Sequence, residues 1–310
     1  ATTEIYTLSL HDALPILKEN AKGHLLALFT ICVWGTTFIA TKVLLKAFTP
    51  IEILFMRFLI GYFLLLIINH QGLSVGSRKQ ELYFIGAGLT GVTFYFLLEN
   101  IALTYTYASN VGIIIATAPF FTAILGRLFL REEKLKTGFF VGFLTSITGI
   151  VLISVHGSSA FSLNPKGDIL AVLAAFVWAC YSILVKKIGS FGISTIQSTR
   201  HIFFYGILFM IIPVFLMGFE WKLERFSNPV YLGNMLFLGV GASALCFVTW
   251  NLAVKFLGAV RTSVYLYLSP VVTIVASALI LGEKITGVSI VGTCLVLAGL
   301  ILSDKGKGKN

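Results

Sequence analysis

Charge is what this sequence has least of. Only 12% of its 310 residues are Asp, Glu, Lys or Arg, about half the share that a soluble domain carries. With 57% hydrophobic residues and a mean hydropathy of +0.93, a water-soluble globular fold is excluded, and lipid must solvate most of the chain. Acids are scarcer than bases, 13 against 23, for a net charge of +10. The bases lie in short segments between apolar runs, where they set orientation and do not form one nucleic-acid-binding patch. No nucleic-acid partner is expected. Cysteine is also rare. Cys32, Cys180, Cys246 and Cys294 each sit inside an apolar run, without a pair at metal-ligand spacing, and read as small helix hydrophobes. A metal-binding thiol would need matching His or carboxylates nearby. His201 beside Arg200 is too isolated to be a metal ligand. No Walker-type phosphate loop occurs, so any energy must come from a gradient or from exchange. No cofactor and no metal are expected.

Residues 1–16 (ATTEIYTLSLHDALPI) fit nothing that follows. They have no initiating Met, no basic n-region and no apolar core of signal-peptide length. They read like translated adapter sequence, and their deletion is expected to leave activity unchanged.

What is present is apolar length. A helix needs about 20 apolar residues to cross the hydrocarbon core. Ten candidate spans answer that need: 24–45, 51–68, 82–104, 110–130, 138–155, 169–185, 195–217, 231–254, 263–281 and 288–303. The breaks between them hold Pro, Gly, Asn or charges, as helix ends should. With the N-terminus inside, the inner loops collect Lys18, Lys22, Arg78, Lys79, Arg131, Lys134, Lys136, Lys186, Lys187, Lys255, Arg261 and the tail lysines. The outer loops collect only Lys46, Lys166, Lys222, Arg225 and Lys284. That is the positive-inside pattern for an even number of spans with both ends cytoplasmic.

The two halves resemble each other. The run from Leu26 lines up with the run from Leu170, placing Trp34 on Trp178 and Lys42 on Lys186. Arg57 matches Arg200, Gly88 matches Gly239, Asn100 matches Asn251 and Pro119 matches Pro270. Glu133-Lys134 falls on Glu283-Lys284, and Gly142 and Gly149 fall on Gly292 and Gly299. Each half holds five spans, an odd number, so the second enters the membrane inverted. Inverted repeats are a construction typical of secondary transporters, with the substrate site near the midplane between them.

This ordered set, from the tryptophan-bearing first and sixth helices to the proline-centred helices ending LREEK and LGEK, resembles the EamA-type members of the drug/metabolite transporter superfamily. The resemblance covers roughly residues 23–303. It implies an all-α polytopic membrane protein with ten transmembrane helices as two inverted five-helix repeats, no ATPase domain, and movement of amino acids, related metabolites or drugs, often outward. The expected organisation is a leader and cytoplasmic N-terminus (1–22), a first repeat (23–155), a linker (156–167), a second repeat (168–303) and a cytoplasmic tail (304–310).

Intramembrane polar residues are expensive and mark function. Glu99 is the one acid deep inside an apolar run. It reads as a proton carrier or the partner of a substrate amine, with a structural hydrogen bond as the alternative; Trp250 stands at its place in the second half. Arg57 and Arg200 read as gates or substrate-carboxylate holders, against simple anchors on backbone carbonyls or lipid phosphate. Asn100 and Asn251 are candidates for a substrate or for tying helices, a bond worth about 1 kcal/mol. Pro119 and Pro270 are expected to interrupt their helices and free a carbonyl. Trp34, Tyr95, Trp178, Tyr181, Trp250, Tyr265 and Tyr267 supply aromatic surface at depth, with cavity lining and helix packing both open. Gly86, Gly88, Gly91, Gly239 and Gly241 read as packing surfaces.

The leading expectation is a secondary transporter, an exporter of small metabolites. Its partners would be a small-molecule substrate, the lipid bilayer and, as one open alternative, a coupling proton. A nucleotide-sugar or organic-phosphate antiporter would want more cations at depth. A membrane-embedded enzyme would want a His, Asp or Glu cluster at one face.

Overall fold

The computed structural model describes residues 10–72, 77–105, 111, 114–130, 137–157, 164–281 and 287–305. The matches at Glu133-Lys134 and Glu283-Lys284, the base Arg131, residues 1–9 of the leader and the tail beyond residue 305 lie outside the described residues. So do the side chain of Lys42 and the start of the fourth expected span.

Every regular element among the described residues is helical, and the sequence explains where several of them start. Helix α1 runs Leu10–Leu44, beginning well before the apolar run at residue 24. Helix α2 (Pro50–Ile68) opens on a capping box: Glu52 donates its backbone N–H to Thr49 Oγ1 at 3.4 Å, and Thr49 returns its own to Glu52 Oε2 at 2.7 Å. Pro50 follows the cap, where a missing N–H costs nothing. Ser77 caps α3 (Arg78–Gly88), which continues through a π-helical stretch (Leu89–Phe94) into α4 (Tyr95–Tyr105). Helices α5 (Ala118–Phe129) and α6 (Thr137–Gly157) complete the first half.

In the second half, Asn164 caps α7 (Pro165–Ile188), again followed by Pro, and α8 spans Thr195–Leu216. Asn228 caps α9 (Pro229–Leu236), which passes through a second π-helical stretch (Phe237–Leu245) into α10 (Cys246–Leu257). The expected span at 263–281 is instead divided: α11 (Ala259–Ser263), a 3-10 turn (Val264–Leu268) and α12 (Ser269–Leu281). Pro270 is the cause, since without an N–H it cannot bond the preceding turn. Helix α13 (Gly287–Lys305) closes the chain.

Among the described residues, six stretches are long and apolar enough to cross a membrane: Glu19–Thr41, Pro50–Ile68, Arg78–Ala102, Pro165–Ile188, Thr195–Leu216 and Pro229–Leu257. Ala118–Phe129, Thr137–Leu152 and Ile290–Ser303 are shorter apolar helices. Their surface is that of a protein dissolved in lipid. Phe215, Leu216 and Leu279 are each 81% exposed, while Ala27, Ala87, Ala171, Ala174 and Ala175 are fully buried. Small residues inside let helix backbones approach where no hydrophobic effect drives them together.

Packing joins the two halves throughout. Helix α1 lies against α10, and α4 lies against α7; α2 packs on the second π stretch, α8 on the first, and α6 on α13. At the α2 crossing, a Cβ on Gly239 would stand 2.7 Å from Ile60 Cβ. At the α8 crossing, a Cβ on Gly88 would stand 2.7 Å from Ile202 O. Only glycine fits either place.

Candidate functional site

Where α1, α4, α7 and α10 meet, the sequence has put an aromatic residue on each facing turn. Trp34 stands edge-on to Trp178, with ring centroids 5.4 Å apart, and 5.2 Å from Trp250. Trp178 and Trp250 are 6.0 Å apart. Tyr95 packs on Trp178 at 4.8 Å, and Tyr181 at 5.1 Å. Phe247 touches Trp34, Trp178 and Tyr181 and carries the cluster on to Phe58 and Phe203. Edge-to-face pairs of this kind each add about 0.5–1.5 kcal/mol beyond the area they bury. Trp178, Tyr181 and Trp250 are buried, and Trp34 is half-buried.

Charge borders the rings. Arg57, buried in α2, donates Nε to Ser243 Oγ at 2.8 Å, across to the second π stretch. Its guanidinium carbon lies 5.1 Å from the Phe96 ring centroid and 5.5 Å from that of Phe58. A charge in such a place is tolerable because the ring faces and a hydroxyl replace water. Glu99, buried in α4, is an electrostatic neighbour of Arg57 and of Tyr95. The pair is not among the direct ion pairs of the described residues. The carboxyl therefore feels a cation without being locked to it.

The π stretches explain part of this geometry. An i→i+5 turn adds a residue to the helix and leaves backbone groups free for other bonds; such turns are rare and are found frequently at functional sites. Trp34 Nε1 donates to Ala242 O, inside the second stretch, at 2.9 Å. Thr93, inside the first, donates its hydroxyl to Gly206 O of α8 at 2.9 Å. The two stretches end immediately before Tyr95 and Cys246, which correspond when Asn100 is laid on Asn251.

Other candidates fall elsewhere. Asn251 accepts the Tyr181 hydroxyl proton at 2.8 Å and donates to Thr199 Oγ1 at 3.0 Å, a buried chain tying α7, α10 and α8. Asn100 is half-buried and follows Glu99 in α4. The Tyr265 hydroxyl bonds His24 Nδ1 at 2.7 Å and stands apart from the tryptophans. Pro119 and Pro270 are each the second residue of a helix, after a turn at Ala116–Thr117 and after the Val264–Leu268 turn respectively. Arg200 lies at the far end of α2, donating to Asn69 O and, at 2.6 Å, to Gln71 O.

Two groupings escape a reading of single residues. Arg225 bonds Glu52 Oε2 at 2.9 Å and Ala47 O at 2.9 Å, fastening the start of α2. On α3 and α8, His201 Nε2 meets Glu81 Oε1 at 2.7 Å, and Tyr205 donates to the same oxygen. Phe96 and Phe247 could have been found, since they keep the same register as Asn100 and Asn251.

The cluster sets ring faces from both halves beside a buried guanidinium and a buried carboxyl. The model of the EamA-like transporter family matches residues 21–155 and again 165–303. An "Uncharacterized transporter" of Archaeoglobus fulgidus is 30% identical over 289 residues, covering 92% of this chain and 98% of that protein. A "Probable amino-acid metabolite efflux pump" of Escherichia coli (strain K12) is 26% identical over 296 residues, covering 92% and 95%. A solved crystal structure, 20% identical, shares the fold with a TM-score of 0.75 over 91% of this chain and 96% of its own.

Proposed function

The chain belongs to the EamA-like transporter family and is an integral membrane protein, and from that premise we propose that it is a secondary transporter exporting small metabolites such as amino acids or drugs. The working cycle is alternating access between two inverted five-helix repeats, 23–155 and 168–303, that together supply ten membrane helices. The substrate sits among Trp34, Tyr95, Glu99, Asn100, Trp178, Tyr181, Trp250 and Asn251, with Tyr265 toward one mouth. The observation that carries this reading is the junction itself: rings from both halves meet at one point, bordered by a buried guanidinium and a buried carboxyl. Packing across the halves comes in matching pairs, α1 on α10 with α7 on α4, and α2 and α8 each on a π stretch. That is the pattern expected of an in-plane two-fold axis. The basic residues favour a cell-membrane protein with both termini cytoplasmic, and the efflux named for the Escherichia coli relative favours outward transport.

An organic-phosphate or nucleotide-sugar antiporter is disfavoured because Arg200 already donates to two backbone carbonyls, leaving Arg57, whose Nε serves Ser243, as the one guanidinium beside the junction. The test is uptake into proteoliposomes of a labelled panel of amino acids, nucleosides and cationic drugs, with and without an imposed pH gradient. Saturable uptake of any member supports the reading. Saturable exchange of phosphate esters alone would replace it with the antiporter.

A further inference from the structure

Glu81, His201 and Tyr205 form a cluster that the transport reading leaves unused. It lies where α3 and α8, one from each half of the sequence, cross near their starts. An ionised carboxylate only accepts, so His201 donates its Nε2 proton to Glu81 Oε1 at 2.7 Å, and Tyr205 donates to the same oxygen. Apolar rings hold the imidazole in place. Phe84 stands edge-on to it with centroids 5.0 Å apart, and Phe204 lies parallel at 6.2 Å. Water still reaches the pair, since the two side chains are 20% and 28% exposed. The charges on the surrounding elements are directed elsewhere. Arg200 donates to Asn69 O and Gln71 O, Lys186 donates to Lys255 O, and His70, Arg78, Lys79 and Lys187 are exposed.

The crossing occurs twice in the molecule, but the polar cluster occurs once. A Cβ on Gly88 would meet Ile202 O and Tyr205 Cβ, each at 2.7 Å. A Cβ on Gly239 would meet Arg57 O at 3.3 Å and Ile60 Cβ at 2.7 Å. These contacts lay Ile202 on Arg57 and Tyr205 on Ile60, a register two residues from the one that lays Arg57 on Arg200. His201 then answers to Met56, and Glu81, seven residues before Gly88, answers to Leu232. Apolar side chains suffice at the second crossing, so packing alone does not call for a carboxylate and an imidazole at the first.

We propose that Glu81, His201 and Tyr205 are a proton-binding site that clasps α3 to α8 and slows transport when the cytoplasm turns acidic. The inference rests on the transport reading above, whose positive-inside pattern puts the starts of α3 and α8 at the cytoplasmic face. A proton taken up at Nδ1 turns the neutral imidazole into an imidazolium, and its bond to Glu81 into a charge-assisted ion pair. The extra grip is present while the imidazole is protonated and is lost as pH rises. Arg200 fastens α8 to the end of α2, so α3 can shift against α2 only by shifting against α8. The clasp lies across that movement. It responds to pH itself and not to a pH gradient, which separates it from any coupling at Glu99.

The test uses the full chain in proteoliposomes, with equal pH on both sides, and follows exchange of whichever labelled member of the panel above is taken up. Between about pH 7.5 and about pH 5.5, a range that brackets an ordinary imidazole, wild type should slow by about threefold more than His201→Gln. Glu81→Gln should lose the same acid slowing. Tyr205→Phe should keep it, because the phenol stays neutral throughout. The second measurement is the melting temperature of the full chain in detergent over the same range. The advantage of wild type over His201→Gln should widen as pH falls, with Glu99 common to both proteins. Equal pH profiles for wild type and His201→Gln overturn the inference and leave the transport reading standing. Uptake of no panel member would sink the transport reading, and the melting series would then decide the proton site alone: a constant difference overturns it.

Discussion

Trp34 and Trp178, which occupy matching places in the two halves of the sequence, touch edge to face with ring centroids 5.4 Å apart. In the proposed inverted-repeat arrangement, residues related by the two-fold axis meet only where the axis passes close by. A substrate held there would face both repeats at once, and a small exchange of conformation between the repeats would alter its access to either side.

Glu99, the buried carboxyl beside this junction, is proposed as the group that couples that exchange to protons. Glu99→Gln removes the exchangeable proton while keeping shape. Stimulation of uptake by an imposed pH gradient should disappear, and exchange without a gradient should persist. A variant that remains gradient-driven would reassign Glu99 to structure or to the substrate amine.

Arg57 is held across the halves by the Ser243 hydroxyl. Ser243→Ala leaves a buried guanidinium short of an acceptor and should cost about 1.5–3 kcal/mol, read as a lower melting temperature in detergent. Arg57→Met, which removes the charge as well, should destabilise less than Ser243→Ala if desolvation dominates. The reverse order would show that the guanidinium itself holds the bundle together.

Arg200 is expected to act as a fastening. Arg200→Gln loses charge-assisted bonds to Asn69 O and Gln71 O and should cost about 1.5–3 kcal/mol of stability, with KM unchanged. An unchanged melting temperature with a raised KM would instead put Arg200 in the substrate path.

Gly88→Ala and Gly239→Ala each push a Cβ to 2.7 Å from a neighbouring helix. Each should lose about 1–3 kcal/mol. Gly233→Ala is the control, since its added Cβ meets nothing within 4 Å. It should be neutral or slightly stabilising, because alanine favours helix.

Much of the architecture is legible in the chain. Thr49-Pro50 with Glu52, Asn164-Pro165 and Asn228-Pro229 announce helix starts by chemistry that is local. Trp34 and Trp178 can be paired because the repeat aligns them. What stays hidden depends on partners distant in sequence. The targets of Arg200 are backbone carbonyls, which leave no mark in a sequence. Glycines flag a close approach, yet Gly241 has only Phe237, at 3.5 Å, while Gly88 sits against backbone. The π stretches have no residue signature of their own; they register only as helix continuing where the hydrogen-bond ladder has slipped. Tyr265 looks like Tyr95 by composition and depth, but His24 holds it elsewhere.

Helix α2 is, electrically, a rod with its two poles earthed. A carboxylate, Glu52, sits at the positive pole and a guanidinium, Arg200, at the negative one, the arrangement a helix macrodipole favours. Both charges that secure it from outside, Arg225 at one end and Arg200 at the other, belong to the opposite half of the sequence, as does the Ser243 hydroxyl on Arg57. The covalent map and the mechanical map of this protein therefore differ. Pulling residues 23–155 away from 168–303 as two blocks would break all three fastenings. In the proposed alternating-access cycle the compliant places therefore lie inside each repeat, between α2 and its own covalent neighbours, and not across the junction of the halves.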